Sequence, residues 1–272
     1  MRQQAQKVLF VNSEILPYLP ESQQASIGRY LPQGVQERKK QIRVFMPRFG
    51  CINERRNQLH EVIRLSGMNI IIADVDRPLI IKVASISPAR MQVYFIDNED
   101  YFRRKAVYTD DNGKFFPDND ERAIFFARGV LETTKKLRWA PNIIHCGGWF
   151  SHLVPAYLKK AYKGDPIFAS SKVVLSLYDD MPAGPFNKDF AAKVAFGGLT
   201  GKDLLLSQEP DGIELAKTAI KYSDGVIFGS ANVNEELVKY TQELGLPVLP
   251  YKAESFEDES YIDEYNAFYD KL

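Results

Sequence analysis

The sequence predicts an α/β protein, a parallel sheet flanked by helices with an antiparallel β insertion, and three observations carry that expectation. Lys7 to Asn12, Ile42 to Met46, Asn142 to His145, Val173 to Leu177 and Gly225 to Phe228 are short apolar runs without alternation, as in strands buried on both faces. Segments of helical periodicity fall between these runs. From Leu59 to Asp97 the pattern changes to four β-rich runs, HEVIRL, MNIIIADV, PLIIKVASI and QVYFID, with short polar breaks and no helix.

In chain order, the expected helices are Gln24 to Arg38, Asp120 to Leu137, Trp149 to Ala161, Gly212 to Tyr222 and Ala231 to Leu244. With the strands they make a Rossmann-like domain over residues 1–250, in which no repeat or low-complexity linker marks a boundary. The stretch 251–272 holds seven acidic residues against two lysines, with Tyr261, Tyr265, Phe268, Tyr269 and Leu272 at helical spacing. It reads as an acidic amphipathic helix that docks on the domain or on a second copy, the bland alternative being a solvated tail.

The 272 residues hold 35 Lys+Arg and 35 Asp+Glu, so no net charge draws the chain to nucleic acid or an anionic membrane. No apolar run approaches a membrane span, and the short run near the start is not the core of a signal peptide. Cys51 and Cys146 require no disulfide framework, and a cytoplasmic location is expected.

The first strand-to-helix turn, Ser13 to Gly28, is where a doubly wound sheet usually holds a phosphate. Here it has no glycine before Gly28, two prolines and two acidic residues, so a nicotinamide or flavin fingerprint is absent and no cofactor is expected. His145-Cys146-Gly147-Gly148-Trp149 lies at the carboxyl edge of a strand. Adjacent strand residues point to opposite faces, which argues against a Cys146–His145 catalytic pair. His60, His145 and His152 share no metal-ligand spacing, so no metal is expected. Glu235 and Glu243 read as a solvated helix face.

The ordered motifs resemble the N-terminal, acceptor-side half of the bacterial glycogen and starch synthases, family 5 glycosyltransferases of GT-B fold. Ser13-Glu14, Pro17-Tyr18, Leu31-Pro32 and Val44 to Gly50 match the family's opening; Val93 to Asp97, Tyr101-Phe102-Arg103, Tyr108, Asp118-Asn119 and Arg122 match its next signatures. Pro141 to Cys146 and Leu153 to Lys159 follow in the same order.

The departures fall on chemistry. Pro20, Glu21, Ser22 and Gln23 stand where the family has a lysine and two glycines that meet the nucleotide-sugar donor. Gly147 and Gly148 replace a histidine and an aspartate beside the transferred sugar, leaving Trp149, and the family's T-x-H-N has become Ser176-Leu177-Tyr178-Asp179. The resemblance also implies a second Rossmann domain, which is expected to be absent, so that the chain is a single half of a GT-B fold capped by its final helix.

These matches imply a glycogen/starch synthase-like pseudoenzyme, inactive alone, that binds an α-glucan or a protein of glycogen metabolism as monomer or homodimer. Its expected ligand-binding residues are Tyr101, Tyr108, Asp118, Asn119, Arg122, His145, Trp149, Tyr178 and Asp179. The bland alternative is that the aromatics belong to the core and Asp118-Asn119 caps a helix. The rival function is transfer of glucose from ADP-glucose to an α-1,4-glucan with a donor domain supplied in trans.

Overall fold

The computed structural model describes residues 5–272; residues 1–4, within the expected first domain and the start of the chain, lie outside the described residues. The elements are β1 (Lys7–Asn12), α1 (Gln23–Glu37), β2 (Gln41–Pro47), β3 (His60–Glu61), β4 (Met68–Ile72), β5 (Val75–Ile86), β6 (Met91–Asp97), α2 (Glu99–Phe102), α3 (Asn119–Lys136) and β7 (Ile143–Gly147). They continue as α4 (Val154–Lys160), β8 (Lys172–Leu177), α5 (Phe190–Phe196), α6 (Gly212–Lys221), β9 (Gly225–Phe228), α7 (Glu235–Glu243), β10 (Val248–Leu249), α8 (Ala253–Glu257) and α9 (Tyr261–Asp270).

The strands order as β10-β9-β8-β7-β1-β2-β6-β5-β3, with β4 paired to β5. Every neighbour from β10 to β6 is parallel, while β5 pairs antiparallel with β6, β4 and β3. The mixed α/β architecture expected from the sequence is present. Val8, Leu9, Phe10 and Val11 are fully buried, as the non-alternating run requires of a strand covered by helices on both faces.

Three details differ from the sequence reading. QVYFID is a core strand: β6 lies parallel to β2 and carries the antiparallel β5 on its other edge. HEVIRL contributes only a two-residue strand before turning. The segment expected as one helix from Trp149 is a 3-10 turn over Trp149–Ser151 followed by α4, with Pro155 at the start of that helix.

Chain order places β2 and β6 on one side of β1, then β7 to β10 on the other. The switch point therefore lies between β1 and β7, where the loops leaving adjacent strands diverge and open a crevice. On the helical layer, α9 buries Tyr261, Ile262, Tyr265, Phe268 and Tyr269, with Phe268 against Gly225 and Ile262 against Gly34 of α1. Arg38 holds Asp263 through two hydrogen bonds, of 2.5 and 2.7 Å, and Lys40 holds Asp270 at 2.6 Å, fixing the acidic outer face of α9. Among the described residues no helix is long and apolar enough to cross a membrane.

Candidate functional site

The crevice at the carboxyl ends of the strands is a cavity of about 820 Å³. Glu14, Ser22, Gln23 and Gln24 line it after β1; Trp149 lines it after β7. The loop after β8 adds Tyr178 to Ala183, and Ser230 and Asn232 follow β9. The far wall is the loop Ala106 to Asp110 with Phe115.

That wall is a small antiparallel turn in which Thr109 bridges Phe115 and Asp110 Oδ1 accepts from the backbone N–H groups of Asn112 and Lys114. Gly113 takes the positive φ of 76° that closes it. Its aromatics continue into the cavity base: Tyr108 lies 4.9 Å and Phe115 5.9 Å, centroid to centroid, from Trp149.

The start of α1 faces the cavity. Ser22 caps the helix by accepting from the Ala25 N–H at 3.0 Å and donates its own hydroxyl to Glu14 Oε2 at 2.8 Å. The helix end that favours an anion thus already has a carboxylate beside it. Opposite, Asp180 Oδ2 accepts the backbone N–H of Trp149 at 2.8 Å and ties the loop after β8 to the turn after β7.

Burial pushes the Asp180 carboxyl up to about 7, although part of the residue still reaches the cavity, and the nearby Glu14 adds to the rise. Glu14 is itself raised by burial, against the lowering effect of its Ser22 hydrogen bond. Four carboxylic acids, Glu14, Asp110, Asp179 and Asp180, line the cavity, and among the described residues no lysine or arginine does. Gln24 is buried on the same wall, and its Nε2 lacks a hydrogen-bond partner. Such a group is satisfied by water or by a ligand's oxygen.

Of the residues singled out in the sequence, Tyr108, Trp149, Tyr178 and Asp179 lie on the cavity, with Ser22 and Gln23 from the altered donor motif. Tyr101, Asp118, Asn119, Arg122 and His145 do not line it. Protein partners take up most of their hydrogen-bonding groups, Arg122 Nη2 being a buried exception without a partner. Tyr101 is 2% exposed and donates to Glu121 at 2.8 Å; Asp118 pairs with Arg104 at 2.5 Å.

Arg122 is fully buried, donating to the carbonyls of Tyr101 and Val107 and to Asn119 Oδ1, while Asn119 donates to the Tyr108 carbonyl. This network anchors the loop that presents Tyr108. His145 is buried between Ser176 Oγ and the Tyr269 hydroxyl, 2.6 Å from each, with its pKa lowered by burial to about 3.

Pro20 is exposed away from the cavity and Gly147 ends β7. Gly148 has φ 86°, in the left-handed region that favours glycine, and a Cβ there would meet the end of the Gln24 side chain. Glu235 and Glu243 are exposed on α7. Among the described residues no His/Cys/Asp/Glu group is arranged to hold a metal ion.

Sequence reasoning missed Phe115 and, apart from Tyr108, the Ala106 to Asp110 wall. The Asp110-Asp111-Asn112-Gly113 turn signal between Tyr108 and Phe115 was the available clue.

Residues 7–249 match the family model of the starch synthase catalytic domain. A glycogen synthase of Chlorobium limicola is 38% identical over 174 residues, covering 64% of this chain and 36% of that protein. One from Pelodictyon phaeoclathratiforme is 30% identical over 277 residues, covering 98% of this chain and 55% of its own. The chain thus spans about half or less of the length of these curated relatives. In structure, the catalytic domain of starch synthase IV from Arabidopsis thaliana, bound to ADP and acarbose, superposes with a TM-score of 0.71 at 16% identity, over 90% of this chain and 51% of that one. Ordered motifs, fold and family model agree, and the chain belongs to the starch synthase catalytic domain family.

Proposed function

We propose that this glycogen/starch synthase-like chain binds an α-glucan in its cavity, in an accessory role in glycogen metabolism, and does not transfer glucose by itself. The observation that carries this reading is the lining of the cavity. Four carboxylic acids and no lysine or arginine among the described residues give a poor environment for a diphosphate, whose charge needs cations in the transition state. The half-buried faces of Tyr108 and Phe115 suit a neutral polyhydroxylic ligand.

The altered donor positions support the same conclusion. Ser22 is engaged as a helix cap and as the Glu14 partner, and Gly148 has the positive φ that favours glycine. Loss of one preorganised charge-stabilising group typically lowers the rate by about 10²- to 10³-fold, and several are replaced here.

The testing experiment is ADP-glucose turnover on glycogen by the purified chain, with and without cell extract. No glucose transfer under either condition agrees with the reading. Transfer by the purified chain within a few orders of magnitude of an intact synthase contradicts it. Transfer that needs both chain and extract instead supports the rival, a working transferase completed in trans.

A further inference from the structure

A second groove, of about 270 Å³, lies between α1 and the α8–α9 segment. Gln23, Ser26 and Tyr30 follow one another on one face of α1, at helical spacing; Phe256, Glu259 and Tyr261 form the opposite wall. Tyr251, Phe256 and Tyr261 stack as a column, with centroids 5.1 and 4.6 Å apart and ring planes within 20° and 17°. Gln23 Nε2 donates to the Tyr251 hydroxyl at 3.3 Å, tying the column to the start of α1. Across the groove Tyr30 is 49% exposed, unusually open for an aromatic side chain in this chain.

We propose that this groove is a distal saccharide subsite that takes the chain of a glucan whose other end occupies the main cavity. Gln23 lines both spaces, so the two are adjacent at that residue. From Gln23 to Tyr30 the helix advances about 10 Å, so an occupant of both spaces is extended and longer than one ring. The chemistry favours a neutral sugar polymer: an aromatic face accepts the C–H groups of a pyranose ring, and Gln23, Ser26 and Glu259 offer hydrogen-bonding groups at the rim. Glu259 lines the groove, and Glu254, Glu257 and Asp258 are exposed on the neighbouring α8 segment, a charge that disfavours an anionic chain.

This subsite rests on the glucan reading of the main cavity, and the test separates the two. Isothermal titration of the full chain with maltotriose and maltoheptaose is expected to give tighter binding for the longer ligand by about tenfold. Tyr30→Ala, on the exposed face of α1, is expected to erase that difference while leaving maltotriose affinity within about twofold. Ser26→Phe, which fills the groove, has the same expected result. If the parent protein binds both ligands equally, or if neither variant changes maltoheptaose affinity, the subsite is overturned and the cavity reading stands. If the parent binds neither saccharide, both are overturned.

Discussion

The Tyr269 hydroxyl lies 2.6 Å from His145 Nδ1, joining α9 to β7 through a buried imidazole whose other nitrogen meets Ser176 Oγ. Burial keeps that ring neutral, so one nitrogen donates and the other accepts. Tyr269→Phe leaves one of them without a partner inside the protein. The expected loss is about 1–3 kcal/mol, read by urea denaturation as a lower midpoint at unchanged slope. An unchanged midpoint contradicts the role given to this bond.

The apolar face of α9 predicts a larger effect. Phe268 is 7% exposed and rests on Gly225 of β9. Phe268→Ala is expected to destabilise the protein by about 3–5 kcal/mol, the range for emptying an aromatic core site. Deleting residues 256 to 272 would expose the helical layer, with a lower melting temperature and reduced solubility as the expected outcome. An equally stable, soluble deletion protein would show that the helix covers nothing essential.

Asp180 makes stability depend on pH. Its folded pKa, raised from 3.8 to about 7, means the native state holds a proton that the unfolded state releases from about pH 4. Stability therefore falls as pH rises through this window, and the loss is complete above about 7. Asp180→Asn keeps an acceptor for the Trp149 N–H and removes the ionisation. Thermal melts should show the variant more stable than its parent at pH 8, with the difference gone near pH 4. A difference independent of pH would refute the linkage.

The cysteines predict a labelling pattern. Cys51 is exposed, whereas Cys146 is fully buried within β7 with its thiol pKa raised by burial. A chromogenic disulfide reagent should titrate one thiol in the native protein and two in denaturant. Rapid reaction of both in the native state would place Cys146 at the surface and reopen its use as a nucleophile.

The parallel core was legible because Lys7 to Asn12 and its counterparts are apolar without alternation, a pattern few other environments permit. The insertion was legible as β structure, but the allegiance of Met91–Asp97 was not, since a strand between a parallel and an antiparallel neighbour has the same composition as either. Trp149 and Tyr178 line the cavity, where their position after strands places them. Arg122 and Asn119 lie off the cavity, and a sequence does not say whether a polar group spends its hydrogen bonds on a ligand or on the loop carrying Tyr108, where these two bond. Phe115 was missed because its place on the cavity depends on a turn folding back.

Affinity electrophoresis through glycogen tests the central claim most directly, because it asks for binding without requiring turnover. The unmodified protein should be retarded, and Tyr108→Ala, with its fold checked by circular dichroism, should migrate almost as in a glycogen-free gel. Added ADP should leave the retardation unchanged, since no lysine or arginine lines the cavity among the described residues. Equal mobility of the unmodified protein with and without glycogen would contradict the account.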